Sequence, residues 1–234
     1  MGGILRASDC NLNMISRRLR ALEVLATDLY GITAEEYSLG RSNLKVVGEM
    51  LRAGIRIIQY REKEKGKRRK YEECLAIREL TSEAGATFIV NDDVDLALLV
   101  KADGVHIGQE DLPPERVREL AGKEMLIGMS NHSPDQARDA VARGVDYIGV
   151  GPVFATRTKK NVCDPVGLEY VEFAARNVPI PFVAIGGIKE DNIAQVAGAG
   201  AGCIALVTEI VGAPDIGRKI MDIRRALRGR KVEG

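Results

Sequence analysis

The sequence has no tryptophan, and aromatic residues make up 4% of its 234 positions. A nucleic-acid surface built on base stacking has little to work with here. Charge of one sign is lacking too: 34 Lys and Arg stand against 33 Asp and Glu, a formal net charge of +1, so no long-range field draws a polyanion. No apolar run approaches the roughly 20 residues that span a bilayer. The opening MGGILRASDCNLNMISRRLR is basic without the apolar stretch of a signal peptide, and export is not expected. Cys10, Cys74, Cys163 and Cys203 stand far apart with no CxxC spacing, which argues against zinc or dithiol chemistry and for reduced thiols in the cytoplasm. What remains is a cytoplasmic protein acting on small molecules, with no nucleic-acid or membrane partner; a homo-oligomer stays open.

What is present is a repeating beat. From residue 29 onward, short apolar runs ending in Gly, Asn or Asp alternate with amphipathic stretches of helical period, the pattern of a parallel sheet covered on both faces. Eight expected strands follow: 29 to 33, 55 to 61, 86 to 92, 104 to 108, 125 to 130, 147 to 151, 181 to 187 and 203 to 210. Eight is the number a closed (β/α)8 TIM barrel needs, and 234 residues suit one such domain. The barrel is expected over 28 to 228, preceded by an extension (1 to 27) and followed by a frayed tail (229 to 234). NLNMISRRLRALEVLAT in the extension is amphipathic, most simply an additional N-terminal helix that plugs the barrel's bottom or packs on its side.

The second expected strand, IIQYREK, breaks the apolar rule: Gln59, Arg61 and Lys63 fall at alternate positions and so share one face. In a TIM barrel, the C-terminal ends of the strands carry the chemistry. Asn91 and Asp92 end the third strand, Gln109 and Asp111 follow the fourth, Ser130 ends the fifth, and FATRTKKN follows the sixth. Asp92 and Asp111 are hard oxygen donors of the kind Mg²⁺ accepts, and Arg61, Lys63 and Lys159 suit phosphate oxygens; together they point to a pyrophosphate. The AIGGI and VTEI turns, with Thr156 and Thr158 nearby, offer backbone N–H and hydroxyl groups for a separate phosphate. Blander readings compete. Taken singly, Asp92 and Asp111 are as well explained by helix capping, Asp93 reads as a cap, and Lys65 through Lys70 read as mostly solvated charge. His106 reads as a satisfied core histidine and His132 as a loop brace.

QYREK, FIVNDDVDLAL, ADGVHIGQEDLP, IGMSNHS, DYIGVGPVFATRTKKN, VGLEY and AIGGI together resemble thiamine phosphate synthase, from about Leu29 to the eighth strand. The resemblance implies a barrel that joins 4-amino-5-hydroxymethyl-2-methylpyrimidine pyrophosphate to a thiazole phosphate, releasing pyrophosphate, with Mg²⁺ as cofactor. It implies that Gln59, Arg61, Lys63, Asn91, Ser130 and Lys159 hold the pyrimidine substrate, with Arg61, Lys63, Lys159 and Ser130 catalytic. Asp92 and Asp111 would bind the metal, and Thr156, Thr158, Gly187, Val207 and Thr208 the thiazole phosphate. Two places depart from the pattern. VTEI stands where a Val-Ser pair and a small residue are common, and Glu209 is expected to point away; YGITAEEYSLG lacks a frequent Thr-Asp ending.

Rival readings are a thiazole tautomerase on the same barrel, a non-catalytic phosphate sensor, and another phosphate-binding barrel isomerase. The first needs neither the cations nor the aspartate pair, the second should have lost the polar row, and the third leaves QYREK unexplained. The loop over 154 to 163 is placed and charged to act as a lid.

Overall fold

The computed structural model describes residues 19–156 and 163–229. Eight parallel strands follow one another around a closed barrel: β1 (Leu29–Ile32), β2 (Ile57–Tyr60), β3 (Thr87–Asn91), β4 (Gly104–Ile107), β5 (Leu126–Asn131), β6 (Tyr147–Val150), β7 (Phe182–Ile185) and β8 (Cys203–Ala205). Leu29 opposite Ile204 and Tyr30 opposite Ala205 close the ring. The expected (β/α)8 fold is the observed one.

Helices α1 (Asn43–Arg52), α2 (Lys67–Glu83), α3 (Val94–Leu99), α4 (Pro114–Ala121), α5 (Pro134–Ala142), α6 (Gly167–Asn177), α7 (Ile193–Gly198), α8 (Thr208–Val211) and α9 (Ile216–Arg228) form the outer layer. Their starts are chemically marked. Ser42 accepts from the Lys45 N–H at 3.4 Å, Ser133 from the Gln136 N–H at 3.2 Å, and Asp215 from the Arg218 N–H at 2.8 Å. In α9, Ile216, Ile220 and Ile223 recur at helical spacing and are all fully buried, so this stripe faces the core. None of the described helices is long and apolar enough to cross a membrane.

Two cores result. Side chains such as Ile58, Phe88, Val105, Ile127 and Ile148 fill the space between strands and helices. Tyr30, Ile32, Ile57, Ile89, Tyr147, Val183 and Cys203 fill the barrel's interior, joined by Leu25. Residues 19–24 are helical, and Val24 and Leu25 touch this interior cluster while Arg20 donates to the Glu124 carbonyl at 2.7 Å. Residues 11–18 of the expected N-terminal helix lie outside the described residues; the described end of it packs against the barrel interior.

The eighth strand is shorter than the 203 to 210 run implied. It stops at Ala205, and Thr208 opens the one-turn helix α8. Periodicity cannot separate a short buried strand from a buried helical turn, and the apolar run CIALV continued past the point where the backbone changed. Lys65 through Lys70 are also not simply solvated. Lys65 pairs with Glu35 and Glu73, Lys70 with Asp93 at 2.9 Å, and Lys67 with both Asp93 and Asp95 at 2.7 Å. Asp93 sits at the N-cap position of α3, yet its carboxylate serves these lysines and makes no capping bond.

Candidate active site

A cavity of about 640 Å³ opens at the C-terminal ends of the strands. Gln59, Arg61, Lys63, Asn91, Asp92, Asp111 and Ser130 line one side of it; Thr156, Gly187, Val207 and Thr208 line the other. Thr158 and Lys159 lie outside the described residues, as does most of the expected lid. Every described residue singled out for ligand or metal contact therefore reaches one space. Volume and lining are those of a site for small ligands.

The polar row is built by strand alternation. Gln59 is buried in β2 with its side chain in the barrel, while Tyr60 points outward and donates to Glu73 at 2.9 Å. Arg61 and Lys63 follow the last residue of the strand, where the Arg61 N–H donates to the Thr33 hydroxyl at 2.8 Å. Glu62, facing away from the cavity, accepts from the Glu35 N–H at 3.0 Å. Burial raises its pKa against the hydrogen bonds that favour its charge.

Lys63 pairs with Asp92, which adopts a left-handed backbone (φ 60°) and donates its N–H to the His106 carbonyl at 2.8 Å. Asp111 accepts from the Gly108 N–H at 2.6 Å. Partial burial of its carboxyl raises the Asp111 pKa; the Gly108 bond opposes the shift, and the negative charge of Asp92 adds to it. Two carboxylates that repel each other on the wall of a cavity, one of them paired with the Lys63 ammonium, form a donor pair suited to a hard divalent cation that keeps waters and substrate oxygens in its other positions. The described residues hold no cluster of three or more His, Cys, Asp or Glu, so protein ligands would supply only part of a coordination shell.

On the opposite side, Gly186 (φ 100°) and Gly187 (φ 64°) turn the chain after β7. A β-carbon on Gly187 would lie 2.7 Å from the Phe154 carbonyl oxygen, so the loop after β6 can press against this turn only because no side chain stands there. The Val153 and Phe154 N–H groups bond to the Ile185 and Gly186 carbonyls at 2.9 Å and hold the two loops together. Glu209 points to Lys219 at 3.4 Å and is not among the cavity's lining residues, as its expected direction required.

The two histidines take different places. His132 is bonded through Nδ1 to the Gly151 carbonyl at 2.5 Å, tying the loop that leaves β5 to the one that leaves β6, and still lines the cavity. His106 is satisfied, with Tyr147 on one nitrogen and Ser130 on the other, and it too lines the cavity. Tyr30, Tyr37, Tyr147, Cys163 and Lys189 are lining residues that the sequence reading missed. Parity was the available signal for two of them. Tyr30 and Tyr147 stand two places before Ile32 and Gly149 and so point inward like those residues, but a tyrosine in an apolar run reads as core.

Comparison with known proteins agrees with this geometry. A family model described as thiamine monophosphate synthase matches residues 29–210. The thiamine-phosphate synthase of Pelotomaculum thermopropionicum is 68% identical over 208 residues, covering 89% of this chain and 95% of the relative. That of Caldicellulosiruptor bescii is 56% identical, covering 86% and 91%. Among solved structures, a thiamine phosphate pyrophosphorylase from Pyrococcus furiosus superposes with a TM-score of 0.80 at 36% identity, over 88% of this chain and 98% of that one. The match takes in all eight strands and every described residue of the polar row, and the chain belongs to the thiamine monophosphate synthase family, whose enzymes serve thiamine biosynthesis.

Proposed function

We propose that the protein condenses 4-amino-5-hydroxymethyl-2-methylpyrimidine pyrophosphate with 4-methyl-5-(2-phosphoethyl)thiazole, or its carboxylated form, to thiamine phosphate and pyrophosphate. The observation that carries this reading is the two-sided cavity: cations and paired carboxylates after β2, β3 and β4, and a turn of neutral donors after β7 and β8. One side fits a metal-bound diphosphate and the other a single phosphate. A thiazole tautomerase would have no use for the first.

Asp92 and Asp111 would hold Mg²⁺, which supplies charge neutralisation to the departing diphosphate when bound. Arg61 presents a planar fork to phosphate oxygens, and Lys63 is a mobile point charge that can leave Asp92 for the diphosphate once the carboxylates have another partner. Lys159, outside the described residues, is proposed for the same diphosphate. Gln59, Asn91 and Ser130, all on that same side, position the pyrimidine substrate. The reaction is proposed to be dissociative: the C–O bond to diphosphate breaks with its electron pair, leaving a pyrimidine carbocation that the thiazole nitrogen captures. Its requirement is electrostatic stabilisation and placement, with no general base.

The test is a coupling assay with the purified protein, both substrates and either Mg²⁺ or a chelator, with product oxidised to fluorescent thiochrome. Magnesium-dependent thiamine phosphate is expected. Thiazole phosphate binding without product would move the assignment to the tautomerase or to a sensor.

A further inference from the structure

A chain of hydrogen bonds crosses the barrel among the residues that line the cavity. Gln59 Nε2 lies 3.0 Å from the Tyr30 hydroxyl, which lies 3.2 Å from the Tyr147 hydroxyl. That hydroxyl is 3.1 Å from His106 Nδ1, and His106 Nε2 is 3.0 Å from Ser130 Oγ. Both phenols are almost fully buried, at 2% exposure, and burial is the leading cause that pushes their pKa values up, so they keep their protons.

The donors then have an order. An amide nitrogen can only donate, so Tyr30 accepts from Gln59 and its single proton goes to Tyr147. The Tyr147 proton goes to Nδ1 of His106, which leaves the imidazole proton on Nε2, donated to Ser130. With a lone pair of its oxygen engaged from below, Ser130 turns its own proton to the cavity. The seat of this chain is built into the backbone: a β-carbon on Gly128 would lie 2.1 Å from Cζ of Tyr147, so only glycine admits the ring.

We propose that Tyr147 is a positioning residue that, through the His106 imidazole, holds the Ser130 hydroxyl as a hydrogen-bond donor to the pyrimidine substrate. The proposal rests on the function proposed above, which places that substrate against Ser130. It also joins two contacts to that substrate, because the side chain that starts the chain, Gln59, is itself proposed to touch it.

Two measurements test it. The sequence has only two histidines, so a nitrogen-15 spectrum of the histidine-labelled protein contains two imidazoles, told apart with a His132→Gln protein. His106 is expected to carry its proton on Nε2, and a proton on Nδ1 would overturn the proposal. Tyr147→Phe is expected to lower kcat on the order of 10- to 100-fold with KM for the pyrimidine pyrophosphate nearly unchanged, and to remove the single-tautomer signature. An unchanged kcat in a folded Tyr147→Phe protein would overturn it as well. If that variant does not fold, the spectrum of the parent protein decides. Failure of the parent protein to make thiamine phosphate defeats the functional reading, whereas the position of the imidazole proton is read without turnover.

Discussion

Asp111 carries the clearest link between protonation and ligand binding. Its folded-state pKa is raised, so its contribution to stability is complete below the ordinary carboxylate pKa and is lost as pH rises through the raised value. At neutral pH the metal-free protein thus holds a charge it would rather discard, first because the carboxyl is partly buried and then because Asp92 is beside it. Asp111→Asn is expected to raise the melting temperature of the metal-free protein at neutral pH, with the difference closing under acid. Added Mg²⁺ should raise the melting temperature of the parent and leave that of the variant in place. An equal magnesium shift in both would take the metal away from this residue. The sequence made Asp111 visible because a carboxylate just past a barrel strand is chemically conspicuous. It hid Tyr147, since nothing in a linear string says that Gly128 on the neighbouring strand leaves room for the ring.

The turn after β2 shows how an element, more than a residue, delivers the cations. Residues on its cavity side, Arg61 and Lys63, alternate with Tyr60 and Glu62, which tie it down: Tyr60 reaches Glu73 on α2 and Glu62 accepts from the Glu35 N–H, while Lys65 beyond them reaches both Glu73 and Glu35 in the 3-10 turn Glu35–Tyr37. Burial alone would raise the Glu73 pKa, but hydrogen bonds from Lys65, Asn43 and Tyr60 outweigh it and hold the value below the ordinary range. That stabilisation is present above the ordinary carboxylate pKa and disappears as pH falls through the lowered one. Glu73→Gln should destabilise the protein by roughly 1.5–3 kcal/mol at neutral pH, by urea unfolding, with the gap to the parent shrinking in acid. It should also raise KM for the pyrimidine pyrophosphate, since the turn bearing Arg61 and Lys63 loses its anchor. A variant as stable as the parent at neutral pH would show that this network merely decorates the surface. The alternation was legible in QYREK. The anchoring was not, because Lys65 and Glu73 look like ordinary surface charge until α2 is seen to begin at Lys67 and lie across the turn. Strand positions were legible for seven strands for the opposite reason, since continuous apolar runs bounded by turn residues leave little choice.

Across the whole molecule, the two ends of the barrel do different work. At the bottom, Asp28 pairs with Arg224 at 2.7 Å, Asp103 with Arg78 at 2.7 Å and Asp146 with Arg118 at 2.5 Å, each tying the lead-in to a strand to an outer helix. Asp146 is the most buried of the three, with its side chain 4% exposed, and it also accepts from the Ile127 N–H at 2.8 Å. Asp146→Ala removes the carboxylate that accepts from Nη2 of Arg118 and from the Ile127 N–H, and should cost about 3–5 kcal/mol in urea unfolding. Its kcat should stay that of the parent at temperatures where the variant is folded. A loss of turnover in step with stability would mean that the two ends are not independent.

The pairing of β1 with β8 joins residues 29 and 30 to 204 and 205. Each of the other neighbouring strand pairs is linked through a single intervening stretch of chain, whereas this one is separated by all six strands between them. A chain emerging from the ribosome can lay down seven strands in order, but it must carry two unpaired edges until the last short strand arrives. The seam between Leu29 and Ile204 is therefore the place where a partly made molecule is most open to pairing with a stranger, and where a chaperone has most to protect.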